Sequence, residues 1–185
     1  TIKDYFKNYK SNIKICDLGT GSGCLAITLA KIYDKSKITA IDISNLAIKI
    51  AKKNAKKHHV EKKINFINCD WFLINKLYDI VVSNPPYLSN KQYEDCEFNI
   101  KNFEPKLALV GGSDGLESYR QIAEKACSIL HYNSYLFIEI GYFQTNDVRK
   151  IFAKKNLKII KIVKDYQEID RVLVLKYDSD KKKLA

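Results

Sequence analysis

The stretch IKICDLGTGSGCLAITLAKIY, Ile13–Tyr33, decides the fold. Its opening, IKICDL, reads as a buried strand, and CLAITLAKIY repeats its apolar residues with helical spacing. Between them Gly19, Gly21 and Gly23 turn the chain. Glycine reaches tight and positive-φ conformations without a steric penalty, and it lets a ligand approach the main chain closely. The spacing is G-x-G-x-G rather than the G-x-G-x-x-G dinucleotide fingerprint, and Asp17 lies two residues before the first glycine. An acid at that point is a poor neighbour for a pyrophosphate. It is a good one for an ammonium or, through water, for a cationic ligand.

Working outward, the same alternation continues. KITAID (Lys37–Asp42), INFINC (Ile64–Cys69), YDIVVS (Tyr78–Ser83), SYLFIEI (Ser134–Ile140), LKIIKIV (Leu157–Val163) and RVLVLKY (Arg171–Tyr177) read as strands. Ser44 is the expected N-cap of the helix after the second strand, whose apolar face is read as Leu46, Ala47, Ile50, Ala51 and Ala55. Further helices are expected over about 117–130 and 144–155, and between Asn84 and Glu117 the periodicity lapses. Strands alternating with helices give a mostly parallel sheet covered on both faces. The last connection is too short for a crossover helix, so the final strand is expected to run antiparallel. In such a sheet the ligand sits outside the carboxyl ends of the strands.

The chain has 185 residues and contains no methionine, even at position 1. It is expected to be a domain of a longer protein, with residues 1–12 a linker or the end of an upstream helix, 13–177 the catalytic domain and 178–185 a tail or linker. The formal net charge of +11 raises the question of nucleic acid, yet only three basic residues, Arg120, Arg149 and Arg171, are arginine, the preferred bidentate reader of phosphates and bases. The lysines are scattered apart from Lys49–Lys63 and Lys181–Lys183, and nucleic acid is not expected as the substrate. Five cysteines without a C-x-x-C pair point to a reducing, cytoplasmic setting. The three histidines have no ligand spacing, which argues against a metal.

Chemistry-bearing residues recur at the strand ends. Asp42 closes the second strand, where a carboxylate can accept both hydroxyls of a ribose. After the third strand, Asp70 can accept from an adenine amine, and Trp71, the only tryptophan, offers an apolar wall beside the ring or plain core packing. A ribose with no phosphate partner favours S-adenosylmethionine over a nicotinamide. After the fourth strand comes SNPPYL, Ser83–Leu88. Residues before proline avoid the α region, so Asn84 and Pro85 are both held extended. The Asn84 side-chain oxygen and the Pro85 carbonyl can then converge as two acceptors on a planar –NH₂ group, with Tyr87 lying against its plane. Drawing on both N–H bonds raises electron density on a delocalised nitrogen as a new bond forms, a stabilisation realised mainly in the transition state.

DLGTGSG, Asp42, DWF and SNPPY, in this order, resemble the release-factor glutamine methyltransferases (the HemK/PrmC family). The wider N-P-P-Y class also contains methyltransferases acting on adenine or guanine amines. NFEPKLALVGGSDGLESY, Asn102–Tyr119, is similar to the F-E-P-x-x-A-L…G-x-D-G-L segment of the glutamine-modifying family and discriminates between the two. The resemblance runs from Ile13 to Tyr177. It implies a Rossmann-like, seven-stranded S-adenosylmethionine-dependent methyltransferase fold and methyl transfer to the side-chain amide of the glutamine in a Gly-Gly-Gln loop of a peptide-chain release factor. By motif match, Asn84, Pro85, Pro86 and Tyr87 hold that amide. Asp17, Gly19, Thr20, Gly21, Gly23, Asp42, Ile43, Asp70, Trp71 and Phe72, with Asn84, surround the cofactor, whose product is S-adenosylhomocysteine. Glu104 in F-E-P reads as a loop-ordering acid. The family's helical N-terminal domain and the acidic-threonine segment before this domain are absent from the chain. YQEIDR has Glu168 where the family often has a glycine ahead of the arginine matching Arg171, so the turn into the last strand is expected to differ. A methyltransferase of adenine amines in DNA or RNA is the alternative activity, and a non-catalytic module keeping the fold is a third reading.

Overall fold

The computed structural model describes Ile2, Tyr5 and residues 12–178. One sheet contains β1 (Lys14–Leu18), β2 (Lys37–Asp42), β3 (Ile64–Asn68), β4 (Tyr78–Ser83), β5 (Leu130–Glu139), β6 (Leu157–Lys164) and β7 (Asp170–Tyr177), in the order β3-β2-β1-β4-β5-β7-β6. The first five strands are parallel, and β7 runs antiparallel to both β5 and β6, as the short last connection requires. The helices are α1 (Cys24–Ile32), α2 (Asn45–Lys57), α3 (Asn90–Glu94), α4 (Phe98–Phe103), α5 (Lys106–Leu109), α6 (Glu117–Ile129) and α7 (Thr145–Ala153). The stretch without periodicity after β4 is therefore not structureless: it carries the three short helices α3 to α5, none long enough to leave an amphipathic repeat. β5 starts four residues before the expected Ser134, because HYN precedes the apolar run.

Side chains alternate across the sheet with a period of two and build a core on each face. On one face Cys16, Val81, Leu136 and Leu173 pack against Tyr119, Ile122 and Ala126 of α6 and Val148 and Phe152 of α7. On the other, Ile15, Ile38, Ile80 and Val82 meet Ala26, Ile27 and Ala30 of α1 and Ala55 of α2. Each fully buried Ile or Leu contributes about 1.5–3 kcal/mol of transfer free energy, so these layers dominate the stability of the sheet. Ile2 and Tyr5 lie in a helix and pack on the second core, with the Tyr5 ring centroid 5.3 Å from that of Tyr135 and 5.8 Å from that of Phe137. The rest of the 1–12 segment lies outside the described residues, as does the tail beyond Asp178.

Ser44 caps α2 as expected, its side chain accepting from the Ala47 N–H at 3.2 Å. The face of α2 differs from the reading of the sequence. Ile48, Ala51 and Ala55 are buried, whereas Leu46 and Ile50 are exposed. Buried positions at i, i+3 and i+7 form one stripe; Leu46 and Ile50 belong to the neighbouring stripe, which the sheet does not reach. In the turn from β6 to β7, Glu168 sits at φ 62, a conformation that glycine takes freely, and Asp165 Oδ1 accepts from the Gln167 and Ile169 N–H groups. Glutamate thus stands in a left-handed turn held together by an aspartate.

Candidate active site

The strand order reverses between β1 and β4, and there the chain leaves the sheet in two adjacent loops. Leu18 lies opposite Ser83, and the Ser83 hydroxyl donates to the Leu18 carbonyl at 2.8 Å, tying the two strand ends together. The glycine turn and the N-P-P-Y loop therefore emerge side by side.

In the turn Gly19, Gly21 and Gly23 all take positive φ, at 71°, 55° and 86°. A side chain on Gly21 would meet nothing within 4 Å, so the turn opens onto a cleft. Asp42 braces its rim: Oδ2 accepts from the Gly21 N–H at 2.8 Å and Oδ1 from the Ser44 N–H at 2.9 Å. Each oxygen keeps a second lone pair for a hydroxyl. Asp17 is placed differently from the sequence reading. It is fully buried beneath the turn, where its Oδ2 accepts from the Thr20 hydroxyl at 2.7 Å and the Ala26 N–H at 3.1 Å, while Oδ1 has no partner. Burial pushes its carboxyl up to about 6, against the pull of those two hydrogen bonds and with a push from Asp42. Thr20 belongs to this brace and is itself buried.

At the end of β3, Asp70 is exposed and caps a single turn, Trp71–Leu73, accepting from the Phe72 N–H at 2.9 Å. Trp71 takes up the core packing that was one of its two expected roles, and its ring edge stands 3.7 Å from where a Gly19 side chain would begin. Its indole N–H is buried without a partner. Ile43, Leu46, Phe72 and Leu73 line the same strand ends as exposed large apolar side chains. An open glycine cleft, a carboxylate with spare lone pairs, an orphaned indole N–H and uncovered apolar walls fit a nucleoside-bearing ligand.

Asn84 is exposed, and its side chain makes no hydrogen bond among the described residues, while Pro85 is buried and Pro86 and Tyr87 half-buried. The loop is held by elements far away in sequence. The Tyr87 and Leu88 N–H groups donate to the Leu109 carbonyl at 3.1 and 2.9 Å, and the Gly111 N–H returns a bond to Leu88 at 2.9 Å. Two glycines are required for this contact: a side chain on Gly111 would lie 2.5 Å from the Pro86 oxygen, and one on Gly115 would lie 2.4 Å from the Tyr87 oxygen. The G-G-S-D-G-L segment is thus a clamp over N-P-P-Y. Arg120 stiffens it with a two-pronged ion pair to Asp114, whose carboxyl that arginine holds below its usual value.

The hub of the clamp is a residue that the sequence reading missed. Gln144, just before α7, donates from Nε2 to the Tyr87 carbonyl at 2.9 Å and the Gly115 carbonyl at 3.3 Å. Its Oε1 accepts from the Gly141 N–H at 2.9 Å and the Tyr119 hydroxyl at 3.0 Å. Both donors and both acceptor directions of the amide are used. The only available signal was G-x-x-Q after a strand, which carries no chemistry by itself. Glu104, by contrast, is exposed and makes no hydrogen bond or ion pair among the described residues, so its side chain orders nothing there. In the same stretch of chain Phe98 and Phe103 of α4 and Leu107 of α5 are also exposed.

Residues 4–100 match the methyltransferase small domain family. The chain is 42% identical over 167 residues to the release factor glutamine methyltransferase of Fusobacterium nucleatum, an alignment covering 88% of this chain and 46% of that protein. It is 37% identical to the release factor glutamine methyltransferase of Streptococcus pneumoniae, over 91% of this chain and 61% of the relative. A bifunctional methyltransferase of Rickettsia bellii is 41% identical over 89% of this chain and 30% of its own length. The chain thus spans less than two thirds of these relatives. Among solved structures, a ribosomal protein L11 methylase from Lactobacillus delbrueckii superposes with a TM-score of 0.69 at 18% identity, covering 93% of this chain and 73% of that one. A magnesium protoporphyrin IX methyltransferase from Synechocystis, solved with bound SAM, superposes with a TM-score of 0.65 at 17% identity, covering 94% and 74%. These likenesses establish the fold.

Proposed function

Because the chain belongs to the methyltransferase small domain family, we propose that it binds S-adenosylmethionine at the glycine cleft and methylates the side-chain amide of a glutamine, that of the Gly-Gly-Gln loop of a peptide-chain release factor. The observation that carries this reading is the clamped N-P-P-Y loop, anchored 2.8 Å from β1 through Ser83 and aimed beside the glycine turn. When bound, the cofactor supplies an electrophilic methyl group on a sulfonium. The Asn84 oxygen and the Pro85 carbonyl accept the two N–H bonds of the substrate amide and orient its nitrogen. Rigidity matters here because an acceptor that needs no reorganisation stabilises the transition state most. As its N–C bond forms and the methyl's bond to sulfur breaks, leaving a neutral thioether, the amide nitrogen sheds one proton to water, and no histidine is needed to take it. Asp42 holds a ribose through its free lone pairs, and Trp71, Ile43 and Phe72 cover the base.

Glutamine is favoured over adenine by the F-E-P to G-x-D-G-L segment, which forms the clamp, and by relatives whose names carry that activity. The exposed Phe98, Phe103 and Leu107 suit a protein substrate, since aromatic anchors are typical of protein interfaces. Free cysteines suit a reducing, cytoplasmic setting. In this proposal residues 13–177 act as the catalytic unit.

The test is methylation by this chain, and by the same chain within its native flanking sequence, using labelled S-adenosylmethionine. The substrates are a release factor, the same factor with the loop glutamine changed to alanine, and duplex DNA. Label on the unaltered factor alone is expected, and label on DNA alone refutes the reading. Asn84→Ala is expected to abolish turnover while leaving cofactor affinity within about threefold, since losing one of the two transition-state acceptor bonds acts on the chemical step. A large loss of cofactor binding would remove Asn84 from this role.

A further inference from the structure

A second concave surface lies at the opposite edge of the sheet. It is a groove of about 930 Å³ lined by the amino ends of β1 to β4 and the start of β5. Five lysines line it: Lys14 of β1, Lys37 of β2, Lys62 and Lys63 of the single turn before β3, and Lys76 before β4, joined by His131. No aspartate or glutamate is among the lining residues. Lys63 is engaged by Asp34 at 2.6 Å, and the carboxylate of Asp79 accepts from the Lys14 main-chain N–H at 2.8 Å. The side-chain ammonium groups of Lys14, Lys37, Lys62 and Lys76 form no ion pair among the described residues. Helix α2 ends at the same edge with Lys56 and Lys57 in its last turn, followed by His58 and His59, all exposed. The basic surface therefore continues out of the groove.

We propose that this groove binds the phosphodiester backbone of a single-stranded nucleic acid, as a partner and not as the methyl acceptor. Clustered like charges, of which only Lys63 has an ion-pair partner among the described residues, repel one another, and a polyanion that releases its own counterions on binding relieves this. Phosphate chemistry fits the donors: lysine acts as a point charge for phosphate, and Asn65, Asn75 and Thr39 add neutral hydrogen-bonding groups along the wall. A flat lipid surface does not enter a concave groove. An acidic protein would want a cluster of apolar or aromatic anchors, and the lining offers one exposed apolar side chain, Leu77, with Tyr78 on the buried floor. The scarcity of arginine and the lack of exposed stacking rings in the lining predict binding without sequence preference. Strands of five to six residues separate the groove from the cofactor cleft by roughly 17 Å at about 3.3 Å per residue, so both can be occupied at once.

The experiment is fluorescence anisotropy of a labelled 12-nucleotide RNA with the whole chain, titrated at several salt concentrations. The groove variant Lys37→Glu/Lys62→Glu/Lys76→Glu is compared with Lys150→Glu/Lys154→Glu/Lys161→Glu, which changes the net charge equally at exposed positions in α7, at its C-cap and in β6. We expect the groove variant to weaken binding at least about tenfold and to lower the salt slope by about two, at roughly 0.7 per single-strand phosphate contact. The control is expected to stay within about threefold. A Lys→Gln triple at the groove positions, with circular dichroism on every variant, separates lost charge from lost fold. Equal losses in groove and control variants, no binding by the wild type, or binding to phosphatidylserine vesicles or polyglutamate in place of RNA would each overturn the proposal. None of these readouts depends on methyl transfer.

Discussion

Replacing Gln144 by alanine tests whether the N-P-P-Y loop acts as a preset acceptor or merely as a turn. Four hydrogen bonds disappear, two of them on the loop side, to the Tyr87 carbonyl at 2.9 Å and the Gly115 carbonyl at 3.3 Å. A neutral hydrogen bond contributes about 1 kcal/mol net, so the loop side loses about 2 kcal/mol of bias toward its observed position. If other loop positions become comparable in energy, the competent population falls about thirtyfold, and turnover falls with it. Cofactor affinity is expected to stay within about threefold, because Gln144 contacts no residue of the glycine cleft. Tyr119→Phe removes two bonds, the one its hydroxyl donates to Gln144 at 3.0 Å and the longer one it accepts from the Gly141 N–H at 3.3 Å; only the first acts on the glutamine, and the variant is expected to cost about fivefold. Gln144→Glu keeps both acceptor contacts but turns an oxygen toward two carbonyls. It is expected to be at least as damaging as alanine at neutral pH and to recover partly at lower pH, where a protonated carboxyl can donate. Single-turnover methylation, calorimetric cofactor binding and hydrogen exchange of residues 84–90 read these effects. Turnover within about threefold of wild type, with unchanged exchange at the Tyr87 and Leu88 amides, would refute the reasoning.

Two further expectations concern stability. The Asp17 carboxyl is raised by burial from 3.8 to about 6, so its contribution is full below pH 3.8 and is lost as pH rises through 6. That amounts to about 2.5 kcal/mol between pH 4 and 7, and Asp17→Asn is expected to flatten this part of the profile in urea unfolding; an unchanged slope would place the titration elsewhere. Glu168→Gly relieves a left-handed glutamate at φ 62 and is expected to stabilise by up to about 1 kcal/mol, the relief of roughly 1–2 kcal/mol being partly offset by glycine's unfolded-state entropy. A fall in the urea midpoint would mean that the exposed Lys164–Glu168 pair outweighs the strain.

The elements of the fold were legible because each carries its own local signature. Strand β4 is a run of apolar residues ended by prolines, and Ser44 announces α2 by its capping oxygen. The strand ends that hold Asp42, Asp70 and Asn84 follow from those boundaries, so the edge of the sheet where these residues gather could be read from the chain alone. The face of α2 could not, because Leu46 and Ile48 are equally apolar and only the sheet decides which is covered.

By itself, then, the sequence determined the alternation of strands and helices, the glycine turn and the rigid double proline, all set by torsional and periodic preferences within a few residues. Tertiary structure alone decided that Asp17 braces the turn from below, that Gln144 reaches across 57 residues of chain to the Tyr87 carbonyl, and that lysines from separate strands share one groove. Such contacts depend on where distant segments meet. A glutamine amide or a lysine ammonium looks the same in sequence whether it faces water or a partner far along the chain.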